Sequence, residues 1–505
     1  MTTARRDRRL VALLALAACL PLLPWPVAPL TDLPGHIGRY RILAEAGEGP
    51  LARHFAVGWA VIGNLGVDLA VLALRPLLDV EAAARLVVTL IPALFVAALL
   101  WAGREAHGRV PPAAGFAVPI AYAYPFQLGF VNFWLATALA FAGLALWLRL
   151  ARVADVRWRL ALFAPVACLV WFAHSFGWAL LGLFVWGAEW ARARERLGPV
   201  RAAVHAAALC LPLALPLALM LGAAEPMRGD TGDWLGPAKK ARWLAALLCE
   251  RWRWWDVAGA VAIYCLLWAA LRSKRLGFAP VLGVPAALGL VAFLLLPRLF
   301  QGGAYVDMRV LAPSVALALV AIRGDPDAEL RVWRLGLGFA GLRLAGTALA
   351  FLFYAQGQQA ALRAISALDP GGAVLVLVDE PESDRWAHRR WTHLAGLATA
   401  RRRVFHNAHW AVPGQHAIRP LHPRAAPFDR DPSHLVRPPG GVDETIGFDR
   451  ALAAFDRCSF GQVWTLGFPP GRARARDLRL QWSDEMSAVY RVDPRACLSA
   501  ARPNG

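Results

Sequence analysis

Long apolar runs constrain this chain more than any other feature. Stretches of roughly seventeen to twenty-two residues, nearly free of charge, recur from the N-terminus to about Tyr354, and each can cross the hydrocarbon of a bilayer as a helix. In lipid a helix satisfies its own peptide groups, whereas in water such runs would expose far too much apolar surface. Of 505 residues 58% are hydrophobic, and the mean hydropathy is +0.44. The charged 18% are clustered between the runs. Beyond Tyr354 the composition turns to Arg, His, Asp and Pro. The sequence therefore predicts an α-helical polytopic membrane protein, with a transmembrane part over 1–354 and a water-facing part over 355–505.

Charge sets the expected topology. Short loops rich in Arg mark the cytoplasmic side, here 104–109, 149–159, 192–201, 272–275 and 323–334. Spans that alternate between them with the right parity are 10–30, 86–102, 110–126, 128–147, 160–173, 176–190, 203–221, 257–271, 278–296, 310–322 and 335–354. That is about eleven helices, with the N-terminus in the cytoplasm and the C-terminus outside. "LAAC" at 16–19 has the form of a lipoprotein cleavage box, but the apolar run continues well past Cys19, which favours an uncleaved span.

Parity makes 31–85 one long external loop. Its apolar stretch at 55–78 is interrupted by Asn64, Asp68 and Arg75, so it is expected to lie along the membrane or against the bundle. Further outer loops are expected at 222–256 and 297–309. In the tail, 358–368 reads as a helix stopped by Asp369-Pro370, while 373–378, "QVWTLGF", "LRLQW" and "SAVYRV" read as strands. A small α/β domain on the extracytoplasmic face follows.

The net charge of +19 does not indicate nucleic acid, because the Arg residues lie in short loops and the tail, not along one soluble face. Seven cysteines form no CxxC or metal-ligand spacing. Cys458 and Cys497 lie in the polar tail, where an extracytoplasmic location would permit a disulfide. GxGxxG and P-loop patterns are absent, which argues against a cytosolic nucleotide donor.

The sequence "PLTDLPGHIGRYRIL", 29–43, follows the first apolar run and carries most of the chemistry. Asp32 and His36 are spaced i, i+4, so a helix starting near Pro34 brings them close, with Arg39 and Arg41 beyond. Carboxylate, imidazole and guanidinium at a membrane–water boundary suit an amphiphilic substrate with an anionic head. The plain alternative is that Asp32 caps a helix or sits in a turn.

Asp68 is a second candidate acid, or a packing residue. Asp307 and Arg309 can hold a lipid phosphate, or simply pair with each other. Lys239 and Lys240 can meet a pyrophosphate head, or be surface residues. His174 lies at a turn between apolar arms, and His406 and His409 in "HNAH" show no metal-ligand spacing.

An acid at the outer end of the first helix, a long first external loop, about ten more spans and an external C-terminal domain resemble the GT-C glycosyltransferase superfamily, in a distant and uncharacterised bacterial branch. The local motif is "TDLPGHIGRYR". The resemblance implies a polyprenyl-phosphate-linked sugar as donor and an acid of the first external loop as base, which would be Asp32 with His36 assisting. It further implies an acceptor hydroxyl on a glycan, lipid or protein, a divalent metal in some members, and a place in the plasma (inner) membrane. Here the loop carries Asp32 followed by Leu33, where many members pair two acids. The alternatives are a transporter or flippase of a lipid-linked glycan, and a non-catalytic factor in envelope polysaccharide assembly.

Overall fold

The computed structural model describes residues 3–221, 229–379, 386–436 and 446–500. Residues 222–228, where the expected second outer loop begins, lie outside the described part. The chain forms two compact units, one of Met1–Pro24, Val61–Leu69 and Leu86–Ala350, the other of Trp25–Ala60, Ala70–Arg85 and Phe351–Gly505.

The first unit is built from helices. Val80–His107, Val131–Val153, Val156–Ala173, Arg253–Arg272 and the helix beginning at Pro326 are each long and apolar enough to cross a membrane. Pro199–Leu209 and Leu211–Leu221 make a sixth if the pair, bent by 55°, counts as one span. This is an integral membrane protein.

Several expected spans are shorter or broken. The first helix, Thr3–Ala17, stops inside its apolar run. Pro21, Pro24 and Pro26 follow, and none can donate the peptide hydrogen bond that a continuing helix needs. The segment 110–126 contains only short pieces, Ala114–Ala117, Val118–Tyr122 and the start of Tyr124–Leu128, with Pro119 and Pro125 in their first turns. The turn expected near His174 is present. Its ring nitrogen accepts from Phe176 N at 3.1 Å, so it caps Ser175–Leu197 just where Val156–Ala173 ends.

The interior of this unit holds more charge than the sequence led us to expect of its spans. Arg343 is buried midway along Pro326–Leu362 and lies 3.2 Å from both Glu250 and Asp256. Arg159 meets Glu189 at 3.0 Å, beneath a Trp147 indole that donates to the same carboxylate oxygen at 2.7 Å. In both groups the buried charges have opposite partners, as a low-dielectric interior requires.

The second unit contains a five-stranded mixed sheet. Ala373–Val378 lies between Phe405–His406 and Gln462–Leu466, parallel to both; Ser487–Val492 and then Leu478–Ser483 follow antiparallel. The two central parallel strands are buried on both faces, which is why they read as continuous apolar runs. Leu478–Ser483 is an edge strand, largely exposed and broken by an irregularity between Leu480 and Trp482. A disulfide joins Cys458 and Cys497. No break separates the last span from the expected 358–368 helix. Pro326–Leu362 runs through, and a short 3-10 turn, Arg363–Ala367, closes it.

Candidate functional site

Asp32 immediately precedes the helix Leu33–Glu45 in the second unit. Pro34 suits the first turn, where a missing N–H leaves no hydrogen bond unmade. The helix ends at Ala46, whose left-handed backbone (φ 43°) is followed by Gly47 at φ 89°. Although Asp32 occupies the capping position, its side chain makes no capping hydrogen bond. Its carboxylate is turned elsewhere, with Oδ1 3.8 Å from His393 Nε2.

Two contacts fix that relation. Gly38 faces Gly396, which opens the helix Gly396–Arg402, and a Cβ on Gly38 would stand 2.8 Å from Gly396 O. Only paired glycines allow the two backbones this close. Pro29 O, just upstream, accepts a 2.6 Å hydrogen bond from Arg390, whose guanidinium lies 3.8 Å from the centre of the Tyr354 ring.

His393 stands between Asp32 and a second group. Its Nδ1 is 3.8 Å from Asp431 Oδ1, and His434 Nδ1 is 3.7 Å from the same oxygen. One donor atom from each of His393, Asp431 and His434 falls within 4.8 Å of the other two. His393 and His434 are buried, while the Asp431 side chain keeps 22% exposure. Trp410 covers the group, its ring centred 3.9 Å from that of His393, and it hydrogen-bonds Asp431.

Burial, reinforced by the neighbouring His434, holds His393 well below the ordinary imidazole range, so it is neutral. Burial also pushes Asp431 up to about 7, against the opposing Trp410 hydrogen bond. None of His393, Trp410, Asp431 or His434 was singled out from the sequence. Asp431 and His434 share the short motif "DPSH", a usable local signal, but His393 is far upstream.

The other candidates have these surroundings. His36 stacks on Tyr40 at 6.2 Å and meets Trp410 at 5.1 Å. Arg39 is buried with its guanidinium 5.6 Å from the centre of the Tyr40 ring, and Arg41 lies 3.9 Å from Glu45. Asp68 is buried in the first unit and accepts from Asn132 at 2.8 Å. Asp307 pairs not with Arg309 but with Lys240, at 2.8 Å.

Lys240 is buried rather than at the surface, and its other two protons go to Phe293 O and Leu296 O. Lys239 is exposed and pairs with Asp233, which also holds Arg298 at 2.8 Å. Arg309 lies 3.2 Å from His174 and 4.3 Å from the centre of the Phe130 ring. His406 and His409 stack at 3.7 Å and accept backbone N–H groups of Ala408 and His406, which accounts for "HNAH" structurally.

No family model and no curated protein matches the chain. One solved structure does. It is ArnT from Cupriavidus metallidurans bound to undecaprenyl phosphate, with 16% sequence identity over 98% of both chains and a TM-score of 0.47. At this level of similarity it assigns the present chain no residue role, substrate or reaction.

Proposed function

We propose that this protein is a GT-C-like membrane glycosyltransferase that works on the extracytoplasmic face. It would move a sugar from a polyprenyl-phosphate donor to a hydroxyl of a glycan, lipid or protein. Asp32 accepts the proton of that hydroxyl as its oxygen attacks the anomeric carbon. The bond from that carbon to the phosphate oxygen breaks, and polyprenyl phosphate leaves with the electron pair. A carboxylate suits this task when it is ionised, oriented and within reach of substrate.

The observation that carries the reading is the freedom of Asp32 from the capping role its position offers, with its carboxylate turned to His393 and 16% exposed. His393 is an imidazole on that carboxylate. Arg39 and Arg41 share the helix that Asp32 opens and are the cations we assign to the leaving phosphate. Lys240 and Asp307 neutralise one another, so we assign them no substrate. Cys458–Cys497 supports an oxidising, extracytoplasmic setting for the second unit, since such bonds persist there.

The test is Asp32→Asn in membrane vesicles supplied with radiolabelled undecaprenyl-phosphate sugars. Loss of transfer by about a hundredfold or more, with normal membrane insertion, is expected for a removed general base. Full activity in the variant would overturn the assignment. Movement of the lipid-linked sugar across wild-type vesicles without any covalent product would establish the flippase alternative instead.

A further inference from the structure

The cluster beside Asp32 contains two imidazoles and a carboxylate with unusual spacing. Asp431 Oδ1 is 3.8 Å from His393 Nδ1 and 3.7 Å from His434 Nδ1. Those gaps exceed a hydrogen bond, which closes near 3 Å. They are close to the separation of two ligands on a tetrahedral zinc ion, about 3.4 Å for bonds of about 2.1 Å. Buried His393 Nδ1 makes no hydrogen bond among the described residues, while the ring has a backbone partner in Ala408.

We propose that His393, Asp431 and His434 bind one divalent transition-metal ion of the zinc class. Two nitrogens and one carboxylate oxygen are a donor set that suits such an ion, and three protein ligands leave a fourth position open.

The ion would also give Asp32 its orientation, a link that rests on the functional reading above. An imidazole bound through Nδ1 carries its proton on Nε2, and it commonly donates that proton to a carboxylate. His393 Nε2 faces Asp32 Oδ1. Asp32 is then outside the metal's ligand set, held by the ring that the metal holds, with its other oxygen left for the acceptor hydroxyl.

The experiment uses the full chain in detergent, purified without a polyhistidine tag or chelator. Metal content is measured by mass spectrometry, followed by removal with EDTA and titration with Zn2+ while thermal unfolding is followed. About one ion per chain and a zinc-dependent rise in Tm are expected. Asp431→Asn and His434→Gln should each weaken zinc at least about tenfold, while Asp32→Asn retains it.

Wild type that takes up no stoichiometric zinc and shows no Tm shift overturns the site, whatever the variants do. Retention of zinc by both ligand variants overturns the ligand set, and loss of zinc in Asp32→Asn overturns the placing of Asp32 outside it. Stoichiometric zinc in a protein whose Asp32→Asn form still transfers sugar would sink the base assignment and leave the metal site standing.

Discussion

Gly38 and Gly396 touch backbone to backbone, with no room for a methyl group on either. Through this contact the helix that Asp32 opens is seated against the turn that carries His393. The catalytic proposal depends on that contact as much as on the carboxylate itself.

Replacing Gly396 with Ala should therefore separate the two segments. A Cβ there would overlap Pro34 O and Gly35 Cα. Overpacking of this kind costs about 1–3 kcal/mol, and the strain falls on the residues around Asp32. We expect a lower Tm and a loss of transfer greater than the loss of folded protein, measured as activity per folded molecule.

Arg390 should be similarly sensitive for a different reason. It donates to the buried Pro29 O and lies against Tyr354. Arg390→Ala removes a charged hydrogen bond and leaves a buried carbonyl unpaired, a loss of about 2–3 kcal/mol. Arg390→Lys should recover only part of it, because an ammonium does not stack flat on a phenol ring. Chemical denaturation of the three proteins gives the ranking.

Lys240 and Asp307 form a buried pair in the first unit. Lys240→Met alone leaves a buried carboxylate without its partner and should destabilise by about 3–5 kcal/mol. The double variant, Lys240→Met with Asp307→Leu, should recover much of that. A thermal unfolding cycle of the four proteins measures the coupling, and additive effects would show that the pair contributes nothing.

Acid should loosen the second unit. His54 and His422 stack with parallel rings 5.2 Å apart, and burial depresses both below the ordinary value of 6.5. The unfolded chain then binds protons that the folded chain refuses. Their full contribution is present above pH 6.5 and is lost as pH falls through the lower folded values. Tm should decline from about pH 7 to about pH 5, and His422→Phe should make that decline shallower.

The tail strands were legible because their signal is local. "AVLVLV", "QVWTLGF" and "SAVYRV" hold enough consecutive apolar or β-branched residues to be read from any window that contains them. The two-residue strand Phe405–His406 offered no such window. The continuity of Pro326–Leu362 was hidden by Gln356, Gly357 and Gln358, polar or flexible residues that look like a helix end. Gln358 is instead buried and donates to Arg390 O at 3.0 Å, a partner the sequence alone could not supply.

By itself the sequence determined that this chain lives in lipid, that a polar region with four readable strands follows the spans, and that an acid stands just after the first apolar run. These follow from hydropathy and periodicity, which are properties of neighbouring residues. Only the tertiary structure decided which groups meet that acid. His393, Asp431 and His434 converge through a glycine contact and the fold of the tail, and convergence of distant segments leaves no periodic trace in the chain that makes it.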